Sequence, residues 1–261
     1  MIDVMPDDAL SSIAHAALVT PSPLERHRPL PSRRARHGTT TLISEGDVGA
    51  DFNHVVVLGP TTPDDLFALA AAFFADPKGY SIVVDVISTP DVGDLLAARG
   101  WTLDEEEPAL VLSPLPLETP SLPPELDIRR VVDSTGLDDF HGVSETPSSY
   151  LPSLAAALDP EVALFVGYRA GRPVATARLT CLGVVADING VVVAPTQRRR
   201  GYGAALTWAA IEAGRARGCT AATLTATEMG YPLYFSMGFQ RAGLYRVYLP
   251  PERTPVDTQQ R

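Results

Sequence analysis

Residues 191–206 read VVVAPTQRRRGYGAAL. A hydrophobic strand ends at Pro195, three arginines follow, then Gly201-Tyr202-Gly203, then a helical stretch reaching Arg217. This order builds an anion cradle. The first N–H groups of a helix have no partner inside it, and they sit at the positive end of its dipole. Glycine lets the turn fold tightly and lets a pyrophosphate approach the backbone, while arginines grip phosphate oxygens. A basic strand-to-helix turn with no ligand is the plainer alternative. The pattern is not a Walker A loop, because GxxxxGK[ST] is missing, and not a dinucleotide fingerprint, because GxGxxG is missing.

A second stretch, Gly230-Tyr231-Pro232-Leu233-Tyr234-Phe235-Ser236-Met237-Gly238-Phe239, lies one strand further on. With both on the page, the chain resembles the GNAT N-acetyltransferase superfamily over about 126–249. The family motif [QR]-x-x-G-x-[GA] is matched by Arg198-Arg199-Arg200-Gly201-Tyr202-Gly203, preceded by Val193-Ala194-Pro195. The family's late tyrosine, before L/M-G-F, is matched by Tyr234. Many members carry Asn seven residues before that tyrosine, where this chain has Thr227.

The resemblance implies an α/β (α+β) GNAT fold, a mixed, mostly antiparallel sheet flanked by helices. It implies coenzyme A as carrier and acetyl-CoA as acyl donor. The pantetheine arm would pair with the open edge of the strand at Val191, Val192 and Val193 as an added strand. Arg198, Arg199, Arg200, Gly201, Tyr202, Gly203 and Ala204 would hold the pyrophosphate, with Thr227 near the arm. A primary amine, on a small molecule or a peptide, would attack the thioester directly, and Tyr234 would act as general acid. The candidate bases are Asp187, on the strand where many members place a glutamate, and Glu145 in the preceding helical region. His141 has a suitable pKa, but a lone helix histidine is more often structural.

Composition narrows the classes. The 261 residues carry 21 basic and 31 acidic side chains, a formal charge of -10. That balance argues against a non-specific nucleic-acid binder. It is uneven: residues 1–120 hold 18 acidic and 7 basic, and residues 121–261 hold 13 acidic and 14 basic. Only Cys181 and Cys219 are present, without ligand spacing, so neither a disulfide scaffold nor a metal site is expected. The acidic N-terminus and the lack of a long apolar run point to a cytoplasmic protein without membrane contact. The sequence leaves the oligomeric state open, a homodimer included.

The first half, from Asp51, reads strand, helix, strand, helix, strand, with LLAARGW (95–101) aligning with LYFSMGF (233–239). We read it as a second, partial, degenerate GNAT-like domain. GPTTPDDL replaces the basic turn, and Leu96 occupies the position of Tyr234. Residues 1–50 look too irregular to supply its missing strands. Pro21 to His37, rich in Arg, reads as a mobile surface segment rather than a polyanion contact. The expected organisation is a degenerate domain at 1–115, a Pro-rich linker at 116–126, a catalytic domain at 127–249 and a flexible tail at 250–261. The rival function is an acyl-CoA-binding sensor of the same fold with catalysis lost.

Overall fold

The computed structural model describes residues 8–28, 30–45, 53–75, 79–144 and 151–251. Its first elements are helix α1 (Asp8–Val19), a 3-10 turn (Pro23–His27), strands β1 (Arg33–His37), β2 (Thr40–Ser44) and β3 (Asn53–Val57), and helix α2 (Pro63–Phe73). Strand β4 (Ser81–Asp85), helix α3 (Val92–Ala97) and strand β5 (Thr102–Leu112) follow. Then come β6 (Leu126–Arg130), α4 (Ser134–Val143), α5 (Leu154–Ala157), β7 (Val162–Arg169), β8 (Arg172–Leu182) and β9 (Val185–Val193). The last elements are α6 (Tyr202–Ala216), β10 (Ala221–Thr225), α7 (Tyr231–Ser236) and β11 (Gln240–Leu249). The described residues form two compact units, one from 1–28 and 108–243, the other from 29–107 and 244–261.

In the first unit β6, β7, β8 and β9 run antiparallel in sequence order. The β7–β8 hairpin turns through Ala170 and Gly171, both at positive φ (49° and 73°), the backbone of a two-residue turn that matches strand twist. β10 lies parallel to β9, and the end of β5 runs antiparallel to β10. Alternation along the strands divides the two faces. Ala175, Ala177 and Leu179 of β8 pack with Leu206 and Ile211 of α6. Val162, Leu164 and Val166 of β7 pack with Leu137 and Phe140 of α4. α1 packs on β9 and β10.

The second unit repeats this plan. β1, β2 and β3 are antiparallel, β4 is parallel to β3 across α2, and β11 is antiparallel to β4. Its core stacks Phe74 on Tyr80 (4.8 Å) and sets Tyr80 against Trp101 (5.4 Å). The correspondence is strand by strand: β3, α2, β4 and α3 match β9, α6, β10 and α7. The closing strands are exchanged. β5 follows α3 in the chain but pairs with β10, and β11 follows α7 but pairs with β4.

Two expectations are corrected. Residues 33–44 do supply strands, β1 and β2, so among the described strands the second unit lacks only a counterpart of β6. RRARH carries no apolar alternation, and pairing with TTLIS overrides that. The Arg-rich stretch is also anchored rather than a mobile surface. Arg26 pairs with Asp159 (3.2 Å) and Glu161, and the His27 ring meets Asp159 at 3.0 Å. Arg33 lies 4.9 Å from the centroid of the Phe73 ring. The expected tail falls, from 252 onwards, outside the described residues. No helix among the described residues is long and apolar enough to cross a membrane.

α6 comes closest to the sheet at Gly214, where a Cβ would stand 2.8 Å from the Ala186 Cβ and 3.6 Å from that of Cys219. Neither neighbour is a flexible chain end. Gly214→Ala would gain about 1 kcal/mol of helix propensity against an overpacking cost of roughly 1–3 kcal/mol. We expect net destabilisation of about 1 kcal/mol in urea denaturation.

Candidate active site

The site begins with a ladder that stops. β9 and β10 pair at Val185–Ala221, Ala186–Ala222 and Asp187–Thr223, and no further. Yet β9 continues to Val193, with β8 still beside it as far as the Ala175–Val193 pair. The outer half of β9 therefore shows β10 an unpaired edge. Its register with β8 slips where Gly190 and Val191 stand opposite Ala177, and Gly190 has φ +59°. Such a bulge adds local twist and re-aims the strand beyond it. Thr176 Oγ1 donates to the Gly190 carbonyl at 3.1 Å and fixes the bulge.

The basic turn leads from that edge into α6. Arg199 adopts φ +62°, unusual for a residue with a side chain, and the N-cap Gly201 adopts φ +79°. No side chain caps this helix, and its first internal bond is Ala205 N–H to the Gly201 carbonyl. The N–H groups of Tyr202, Gly203 and Ala204 thus have no helical acceptor. Arg199, Arg200 and Gly201 are exposed. Arg198 differs from its neighbours, because its Nε donates to the Val193 carbonyl at 3.0 Å and ties the turn to the strand end. The Tyr202 side chain is buried, and its hydroxyl donates to Glu125 Oε1 at 3.0 Å. A Cβ on Gly203 would meet Leu233 at 3.2 Å and Val193 at 3.8 Å, so glycine keeps the helix start close to both β9 and α7.

Tyr234 is buried with the core on the α6 side, its ring edge-on to Phe239 at 5.9 Å. Burial pushes its hydroxyl up to about 12. Asp187 is the last paired residue before β9 and β10 part. Its neighbours in sequence, Ala186 and Ile188, pack on the α6 side, so alternation places Asp187 on the other face. Burial pushes its carboxyl up to about 6, opposed by the Arg178 charge and by Asn189, whose Nδ2 donates to Asp187 Oδ2 at 2.7 Å. The Tyr234 phenol and the Asp187 carboxyl thus lie on opposite faces of the sheet.

The remaining expected residues separate clearly. Thr227 Oγ1 accepts from Gly230 N–H (3.2 Å), and its carbonyl accepts from Gly230 and Tyr231 N–H (2.9 Å each), so this side chain helps start α7. His141 makes a ring-nitrogen bond to the Pro152 carbonyl at 2.9 Å, the structural role. Glu145 lies outside the described residues. Sequence reasoning missed Arg178, which the β8–β9 register sets near Asp187, and Asn189, two residues on and on the same strand face.

The matching place in the second unit has none of this chemistry. β3 pairs with β4 from His54–Ser81 to Val57–Val84, as far as β3 itself runs, so no edge opens. The start of α2 is capped by Thr62, whose Oγ1 accepts from Asp65 N–H at 3.2 Å. Asp64 and Asp65 stand in its first turn, and Leu96 is buried in the core.

A parted parallel strand pair thus lies beside an uncapped, glycine-started helix. Residues 132–239 match the model of a family described as Acetyltransferase (GNAT) family. Over nearly its whole length the chain is similar to a solved GCN5-related N-acetyltransferase from Kribbella flavida. The TM-score is 0.70 at 21% identity, covering 95% of this chain and 97% of that one. A tandem GNAT protein from the clavulanic acid biosynthesis pathway aligns at TM-score 0.58 and 14% identity over 93% of each chain. A functionally unknown conserved protein from Staphylococcus epidermidis ATCC 12228 aligns at 0.59 and 12%, over 87% and 97%. These likenesses show the fold. No curated protein matches the chain.

Asp187 gives a test that needs no substrate. Its carboxyl protonates more easily folded than unfolded. Its contribution therefore favours the fold below the unfolded value near ~3.9 and is lost as pH rises through about 6. Asp187→Asn should stabilise the protein by about 1–2 kcal/mol near pH ~7.5, and the gain should vanish near pH ~4. Urea denaturation at both pH values measures it.

Proposed function

We propose that the protein is an acyl-CoA-dependent N-acyltransferase that moves acetyl from acetyl-CoA to a primary amine by direct attack. The observation that carries this reading is the open edge of β9 running into an uncapped α6 N-terminus, with Tyr234 buried beside it. An extended amide-bearing arm can hydrogen-bond along such an edge as an added strand. A pyrophosphate suits the free N–H groups of Tyr202, Gly203 and Ala204, and Arg199 and Arg200 suit its charge. The second unit supports by contrast: the same elements occur there, with the ladder complete and the helix start capped and acidic.

In this mechanism Asp187 takes a proton from the incoming ammonium, directly or through water, and frees the nitrogen lone pair. The C–N bond forms at the thioester carbonyl as the C–S bond breaks. A backbone N–H near Val193 stabilises the carbonyl oxygen as charge collects there. Tyr234 donates its proton to the departing sulfur. Near 12, the Tyr234 hydroxyl is a weak acid, but a thiolate desolvated in the same gap is correspondingly a stronger base. The donation is then a strong hydrogen bond that becomes transfer as the C–S bond lengthens. The acceptor reading stays at the level of a primary amine, on a small molecule or a peptide.

Calorimetric titration with acetyl-CoA tests the donor site. Saturable binding is expected, weakened at least tenfold, about 1.4 kcal/mol, in Arg199→Glu/Arg200→Glu. An absence of binding to the unaltered protein would overturn the proposal. Tyr234→Phe should keep acetyl-CoA binding and lose about a hundredfold in acetyl transfer to a panel of primary amines, the low end of general-acid effects. Binding without turnover on any amine would favour the sensor instead.

A further inference from the structure

Asp187 and Asn189 stand two residues apart on β9, so alternation sets both side chains on one face of the strand. The Asn189 Nδ2 donates to Asp187 Oδ2 at 2.7 Å. Among the described residues no donor reaches Asp187 Oδ1, and both side chains are half-buried rather than enclosed. Thr223 pairs with Asp187 on the β10 side, but its hydroxyl donates to the Leu110 carbonyl at 3.1 Å. Asn189 is also the last β9 residue in regular register, opposite Arg178, before the strand slips at Gly190. The bulge re-aims the chain beyond it, while Asn189 keeps its place on the Asp187 face. One carboxylate oxygen is thus held and the other is left open.

The terminal torsion of an aspartate is soft, so a carboxylate without a fixed partner swings. A charge-assisted bond from an amide holds it. The amide N–H can only donate, so Oδ2 cannot take a proton without losing that bond. Oδ1 can take one and leave the bond intact. We propose that Asn189 is a positioning residue for Asp187: its amide holds Oδ2 in place and leaves Oδ1 as the atom that receives the proton of the incoming ammonium. The N–H bond breaks, its electron pair stays on nitrogen, and the proton goes to Oδ1. For the role of Asp187 as base this rests on the acyltransfer reading above. The charged or titratable groups on the elements packed here are Arg178 of β8, Asp8 and His15 of α1, and Asp138, Asp139 and His141 of α4. Asp8 and Asp138 are exposed. Asp139 accepts from the Tyr168 hydroxyl at 2.7 Å, and His141 bonds the Pro152 carbonyl. Arg178 keeps its charge throughout the working range.

The test reads Asp187 directly by carbon NMR, in the full-length protein with its aspartates labelled at the carboxyl carbon. Asp187→Asn assigns the signal. Asn189→Leu, close in size and unable to donate, removes a bond that favours the charged form. It should move the Asp187 titration upwards by about one pH unit. Asn189→Ala serves if the Leu variant does not fold. An unmoved or lowered titration in the Leu or Ala variant overturns the proposal. Kinetically, the acid limb of kcat/KM for acetyl transfer to a primary amine should move upwards by the same amount. Above that limb kcat should fall about tenfold, part of what a general base supplies, with KM for acetyl-CoA unchanged. The same change should cost nothing further in an Asp187→Asn background. Additive losses would mean that Asn189 acts elsewhere and overturn the proposal. Absence of turnover in the unaltered protein would sink the acyltransfer reading alone, because the NMR titration still decides whether Asn189 holds the ionised Asp187 carboxyl.

Discussion

Between β9 and β10 the backbone ladder stops at the Asp187–Thr223 pair, and β9 goes on with only β8 beside it. Unpaired strand edges are costly in a sheet interior, so the opening has to be held by bonds made elsewhere. On the β9 side, Ala194 N–H reaches the Val174 carbonyl (2.9 Å) and Arg198 reaches the Val193 carbonyl. On the β10 side, Ala226 N–H goes to Pro108, and the Thr227 carbonyl starts α7. Each strand is satisfied on the flank away from the gap. The gap keeps its polar edge, and that edge is what an amide-rich ligand can use.

The second unit is an internal control on this argument. It repeats the order of strands and helices, packs an aromatic core of its own, and closes its parallel pair completely. Where α6 starts with two glycines and no cap, α2 starts with Thr62, a proline and two aspartates. One capping hydroxyl and two carboxylates leave the start of α2 unsuited to an anion. The two units thus share an order of elements and differ at a few residues of the strand-to-helix turn and in the extent of one ladder.

Much of this was legible in the sequence because it is written in local signals. The valine run, RRRGYG and the tyrosine before Met237-Gly238-Phe239 fall on the elements they suggested. What escaped had non-local causes. β1 reads in sequence as part of a mobile surface segment because Arg33, Arg34 and Arg36 hide a strand that only pairing with β2 creates. The acidic run before Pro108, DEEE, belongs to β5 for a similar reason. Asp187 can be singled out from the strand and Asn189 follows from alternation along it, but Arg178 cannot, since the register with β8 decides what stands opposite. Thr227 looked like a ligand contact by position. Its short polar side chain instead serves a turn, which no spacing rule separates from binding.

The exchange of closing strands has a consequence for how such a chain can be inherited. β5 is encoded with one repeat and completes the unit built mainly by the other, and β11 does the reverse. A gene cut midway would yield two products, each carrying a strand meant for its sibling and missing the one it needs. Neither product could close its own sheet, so the two repeats depend on each other for their last strands whatever each of them does.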